Sequence, residues 1–137
     1  VDEAPGLYAT QAAGCAPIVE AFTDGLDEHE PVERPDTICG ALEVADPTGS
    51  PLVIDAVRET DGGAVESEDR AILEAAVSVA ETEGLELGAA AGAAVSGARK
   101  LAEDGPLGAN DTVVVCNPAT GNKDNDILRS HLMSKGI

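Results

Sequence analysis

A chain of 137 residues fits one domain, 1–137, and is long enough to bury a real core. Its 26 acidic residues stand against 8 Lys plus Arg, a formal net charge of −18, and a field of that sign repels a nucleic-acid duplex or an anionic lipid surface. With no Trp, and only Tyr8 and Phe22 aromatic, the packing has to be done by Ala, Val, Leu and Ile.

In chain order, Leu7 to Gln11 reads as a short strand, followed by the tight stretch "AAGCAP". Pro17 suits the first turn of a helix running to about Phe22, which Gly25 stops. Residues 26–36 are polar with two prolines and form a loop. Thr37 to Val44 is expected as a short helix, halted by "ADPTGSP". Leu52, Val53, Ala56 and Val57 recur at helical spacing before Asp61-Gly62-Gly63. Ala64 to Glu66 is a short strand candidate. Ser67 is the expected N-cap of the next helix, with Glu68 and Asp69 favourable to its dipole. Ile72, Leu73, Ala76, Val79 and Ala80 then form one apolar face up to Gly84. Ala89 to Glu103 is a helix of small residues that must pack closely on its neighbours. Thr112 to Cys116 reads as the clearest strand, and Ile127 to Met133 as the last helix.

Strands alternating with helices predict an α/β fold: a mostly parallel sheet flanked by helices. No apolar run reaches membrane-spanning length, which argues against a membrane role. The opening Val1-Asp2-Glu3-Ala4-Pro5 has no signal-peptide pattern and reads as the interior of a longer chain. The apolar fraction, 43%, falls in organised runs, which excludes an acidic disordered chain.

Ligands of parallel sheets gather beyond the carboxyl ends of the strands, so "TQAAGCAP" and "CNPATGNKD" are the candidate stretches. Each also reads as a tight connection that simply needs small residues. Lys123 has the chemistry of a Schiff-base lysine, but beside Asp124 it reads as half of a solvated ion pair. Lys100 and Lys135 are weaker candidates. Cys116 has a nucleophile's chemistry, yet no His stands at a suggestive position, and a buried thiol is expected. Cys15, Cys39 and Cys116 are widely spaced and, with His29 and His131 far apart, make no metal-ligand pattern. Reduced thiols in a cytoplasmic protein are the expectation. The acid run Asp27-Glu28-His29-Glu30 reads as solvated surface. No GxGxxG or GxxxxGK loop and no catalytic-triad spacing occur.

Taken in order, four segments resemble the carboxyl-terminal part of threonine synthase, a pyridoxal-phosphate enzyme of the tryptophan-synthase-β-like fold. "YATQAAGCAPIVEAF" is similar to that family's "QAAGAAPL" or "QAAGCAPIV", and "ERPDTICGALEVADP" to its "ERPETLATAIRIGNP". "ESEDRAILEAAVSVAETEGL" resembles its "VTDEEIL…REEGI" helix, and "TVVVCNPATGNKD" stands in the place of "TVV…LTGxGxKD". The resemblance implies a three-layer fold, pyridoxal phosphate as cofactor, and conversion of O-phosphohomoserine, a small amino-acid phosphate, to threonine and phosphate. It places the Schiff-base lysine and the phosphate-binding loop upstream of the matched region. It leaves Asn117, Pro118, Ala119 and Thr120 on the side of the pyridine nitrogen.

Gly121, Lys123 and Asp124 match the family pattern, but its usual Thr falls on Pro118, with Thr120 as the substitute if the loop shifts. Its "EPAS" turn falls on Gly88-Ala89-Ala90-Ala91, losing the Glu and Ser unless the register moves to Glu86. A threonine or serine dehydratase-like relative, and a non-catalytic binding module of the same fold, are the alternatives. Because the implied sheet needs strands from elsewhere, a second polypeptide or self-association is expected.

Acid dispersed through nearly every segment is the pattern of proteins that work in molar salt, where self-repulsion is screened. The melting temperature is therefore expected to be higher in molar KCl than in dilute buffer. Equal melting temperatures across a KCl series would remove the halophilic reading.

Overall fold

The computed structural model describes residues 4–136. Two strands, β1 (Tyr8–Ala12) and β2 (Gly63–Ser67), form a parallel pair with Tyr8 opposite Gly63 and Ala12 opposite Ser67. Between them lie helix α1 (Pro17–Thr23), a 3-10 turn over Gly40–Leu42 and helix α2 (Ser50–Glu59). After β2 come α3 (Asp69–Glu83), α4 (Ala89–Asp104), a second 3-10 turn over Gly121–Lys123, and α5 (Asn125–Ser134). No helix among the described residues is long and apolar enough to cross a membrane.

Alternation along a strand decides which helix covers which face. Thr10 and Val65 are opposite each other and share one face, where α4 lies so close that a Cβ on Gly97 would stand 2.6 Å from Thr10 Cγ2 and 3.0 Å from Val65 Cγ1. Gln11 points to the other face, toward α1. Its Oε1 accepts the backbone N–H groups of Ile18 (2.9 Å) and Val19 (3.1 Å), capping a helix whose own N-cap, Ala16, offers no acceptor. Helices thus cover both faces, and the three-layer α/β arrangement is the one expected. In one core cluster the small Ala12, Cys39, Ala89 and Ala93 gather around Ile72, with Leu42 and Ile127 packed against them.

Four local expectations are corrected. Thr37–Val44 is not a helix but carries only the Gly40–Leu42 turn. Its start is pulled to Asp69, whose carboxylate accepts the Thr37 hydroxyl (2.5 Å) and the Ile38 N–H (2.8 Å). The N-cap of α3 is Glu68, because Ser67 is held in the ladder by the Ala13 N–H on its carbonyl (2.9 Å). Helix α2 begins at Ser50 and buries Ser50, Ile54 and Val57, which turns Leu52 out to 77% exposure. Finally, Thr112–Cys116 joins no sheet among the described residues, and Val114 is 88% exposed. Its β-branched sequence favours an extended backbone, but a strand exists only with a neighbour to pair with, and no described strand lies beside it.

The polar loop 26–36 is fastened to the start of α2. Ser50 is fully buried, and its Oγ lies 2.5 Å from His29 Nδ1. His29 Nε2 lies 3.0 Å from Asp46 Oδ1, and the Val32 N–H donates to the Ala45 carbonyl (3.0 Å). A carboxylate only accepts, so Nε2–H donates to Asp46. In the neutral ring Nδ1 then accepts the Ser50 hydroxyl proton. A serine with no open face cannot meet a substrate, so this Ser–His–Asp trio is a latch. Ser50→Ala leaves a buried ring nitrogen unpartnered and is expected to lower stability by about 1–3 kcal/mol in urea titration. An unchanged midpoint would show that the latch contributes nothing.

Candidate functional site

The first candidate stretch, after β1, is consumed by structure. The Ala12 carbonyl accepts the Cys15 N–H (2.9 Å), closing a tight turn, and Gln11 is committed to the cap of α1. Gly14 lies on the 36–37 backbone, where a Cβ would come within 1.7 Å of the Asp36 carbonyl oxygen. This stretch is the tight connection that small residues allow, and it brings Cys39 into the core beside Ala12.

The second stretch is built differently. The turn after Cys116 folds onto the start of α4: the Gly88 N–H donates to the Ala119 carbonyl (3.1 Å), and the Ala89 N–H donates to Asp124 Oδ2 (2.7 Å). Gly121 is buried against Glu86, where a Cβ would stand 2.7 Å from Glu86 Cγ. Residues 86–91 and 117–124 therefore share one surface. It lies at the carboxyl end of β1, because Ala12 and Ala89 belong to the same buried cluster. On it, Asn117, Pro118 and Thr120 are exposed and Ala119 is half-buried. The exposed Thr120 makes no side-chain hydrogen bond to cap the following turn.

The three lysines stand in different settings. Lys123 is exposed and makes no ion pair with Asp124, whose carboxylate has turned to α4. Lys100 Nζ donates to the Glu66 carbonyl (2.6 Å), and Lys135 pairs with Glu74 (3.1 Å). No group of three or more His, Cys, Asp or Glu among the described residues is arranged to hold a metal. Sequence reasoning missed Asp124 as the cap of α4. No local signal announces it, because donor and acceptor are 35 residues apart.

Comparison with known proteins supplies the wider context. The family model described as "Pyridoxal-phosphate dependent enzyme" matches residues 2–119. The chain is 32% identical over 126 residues to threonine synthase of Methanocaldococcus jannaschii, covering 92% of this chain and 31% of the relative. It is 35% identical over 113 residues to threonine synthase of Methanosarcina acetivorans, covering 82% of this chain and 28% of the relative. Among solved structures it superimposes on maize serine racemase with a TM-score of 0.61 at 13% identity, covering 95% of this chain and 40% of that one. A fungal L-serine ammonia-lyase from Rhizomucor miehei gives 0.63 at 19% identity, covering 93% and 41%. At such identities the two structures show the fold alone, that of the tryptophan-synthase-β-like enzymes. The chain spans about a third of the length of the curated relatives it matches.

The three thiols divide sharply. Cys15 and Cys39 are fully buried as expected, while Cys116, expected to be buried, is exposed, its segment joining no sheet among the described residues. Burial, followed by the Asp69 carboxylate, pushes the Cys39 thiol up to about 12. Burial and then Glu43 raise Cys15 as well. Raising a thiol's pKa removes thiolate, the reactive form, at any pH below it. At pH 8, iodoacetamide is therefore expected to alkylate Cys116 quickly and the other two only after unfolding. A second equivalent entering the folded protein at the same rate would contradict this.

Proposed function

This chain belongs to the pyridoxal-phosphate-dependent enzyme family, and we propose that it is the carboxyl-terminal part of a threonine synthase-like enzyme. The reaction is the conversion of O-phosphohomoserine and water to threonine and phosphate. The observation that carries this reading is the identity to threonine synthases over 82–92% of the chain.

The residues present fit one side of the cofactor. A ring nitrogen needs a donor or acceptor facing it, and the hydroxyl of exposed Thr120 and the amide of exposed Asn117 have that chemistry; Pro118 offers neither. When bound, pyridoxal phosphate supplies the electron sink for carbanion chemistry at the substrate. In this reading Thr120 orients the ring and half-buried Ala119 gives it a flat wall. The lysine and phosphate loop are assigned to polypeptide upstream of the matched region, as the resemblance implies; Lys100 and Lys135 are engaged elsewhere. The same polypeptide, or failing it a second copy, would cover the unpaired Thr112–Cys116 segment.

A second reading, a serine or threonine dehydratase-like enzyme, is supported by the superposition on an L-serine ammonia-lyase, a protein of the same fold. Gly88 and Ala91, in place of the family's Glu and Ser, favour a module without chemistry. Full-length protein with pyridoxal phosphate and O-phosphohomoserine is expected to yield threonine and inorganic phosphate in equal amounts. Thr120→Ala is expected to lower kcat/KM about tenfold, the effect of one hydrogen bond. Ammonia released from serine or threonine without phosphate release would establish the second reading, and no turnover of any of these would favour the module.

A further inference from the structure

We propose that Asp124 is the positioning residue of this site: its carboxylate clasps the Ala119–Gly121 turn onto the start of α4, and that contact holds position 88 to glycine. The role in catalysis rests on the function proposed above; the clasp itself does not.

Helix α4 is 16 residues long, and its N-cap, Gly88, has no side chain with which to satisfy the free N–H groups of the first turn. The missing acceptor arrives from 35 residues away, as Asp124 Oδ2 at 2.7 Å from the Ala89 nitrogen. A carboxylate is the favourable partner for the positive end of a helix. Two further contacts lock the turn: the Gly88 N–H on the Ala119 carbonyl, and Gly121 lying against Glu86. Asp124 is also tied on its other side, since its own carbonyl accepts the Leu128 N–H (3.0 Å) and begins α5. One residue thus joins α4, the turn and α5.

Position 88 is the counterpart of this clasp. A Cβ there would stand 2.8 Å from Asp124 Oδ2, 3.1 Å from the Ala119 carbonyl oxygen and 3.2 Å from that of Thr120. Gly88 has φ −81°, which any residue adopts, so the requirement is one of space rather than of backbone freedom. The resemblance sets the family's glutamate at this position unless the register moves to Glu86, and a side chain at 88 would crowd the closed clasp. The carboxylate also uses up the anion-attracting end of α4. What the clasp leaves free is the outward edge, Asn117, Pro118 and Thr120, whose direction it sets.

The test compares wild type, D124A, D124N and G88A as full-length proteins, with folding checked by circular dichroism. Hydrogen exchange is followed by mass spectrometry in peptides covering 86–92 and 117–124. We expect D124A and G88A each to speed exchange in both peptides about tenfold or more, and the double variant to add little, as for two changes that break one contact. D124N keeps an acceptor oxygen and should restore most of the protection, which also guards against D124A simply misfolding. Steady-state kinetics with O-phosphohomoserine then read the positioning role: D124A should lower kcat about tenfold with KM little changed, and D124N should recover most of it. Exchange in D124A within twofold of wild type would overturn the clasp. Faster exchange with unchanged kcat and KM would overturn the positioning role. A wild type that makes no threonine would sink the proposed function, and exchange would still decide the clasp.

Discussion

Everything in this molecule depends on how closely α4 can approach its surroundings. Two of its glycines and its N-cap each meet a different neighbour: Gly97 the sheet, Gly92 the backbone of α3, and Gly88 the turn at 119–124. At Gly92 a Cβ would stand 2.5 Å from the Ile72 carbonyl oxygen, so even alanine would force the helices apart. Glycine inside a helix costs about 1 kcal/mol relative to alanine. The cost is offset because close backbone contact fills the space that a chain with two aromatic residues cannot fill with large side chains.

That seam also explains why the candidate site exists at all. Were α4 held off by larger residues, its first turn would not reach the 119–124 turn, and neither stretch would lie at the carboxyl end of β1. The exposed residues of the site owe their placement to backbone and to one carboxylate, not to enclosing side chains. The face they form is accordingly open within this chain, as suits one wall of a site whose other walls come from elsewhere.

The sheet tells the same story from its edges. The Gly63 N–H on Leu7 and the Ser67 carbonyl on Ala13 fix which backbone groups of β2 point inward, so Ala64 and Glu66 point outward. Lys100 reaches over from α4 to satisfy the Glu66 carbonyl, an edge blunted by a lysine. The Thr112–Cys116 segment has no such protection. Its three valines are exposed, an unusual expenditure of apolar surface in so acidic a chain.

The sequence by itself determined what local chemistry and periodicity control. Pro17 and the positive-φ Gly84 bounded their helices, the buried face of α3 was legible through Ile72, Leu73 and Ala76, and the alternation of elements implied a parallel α/β sheet. It also carried the family, because the order of four segments survives in the text of the chain. Tertiary structure decided the rest, wherever the deciding partner lies far along the chain. Asp69 drew the 37–39 segment out of the helix its composition suggested, and His29 drew Ser50 into the core and so rotated α2. Thr112–Cys116 had every propensity of a strand and no described neighbour to make it one. Asp124, read from its neighbours as a partner for Lys123, went instead to α4, because a desolvated N–H at a helix start binds a carboxylate more strongly than a solvated lysine does.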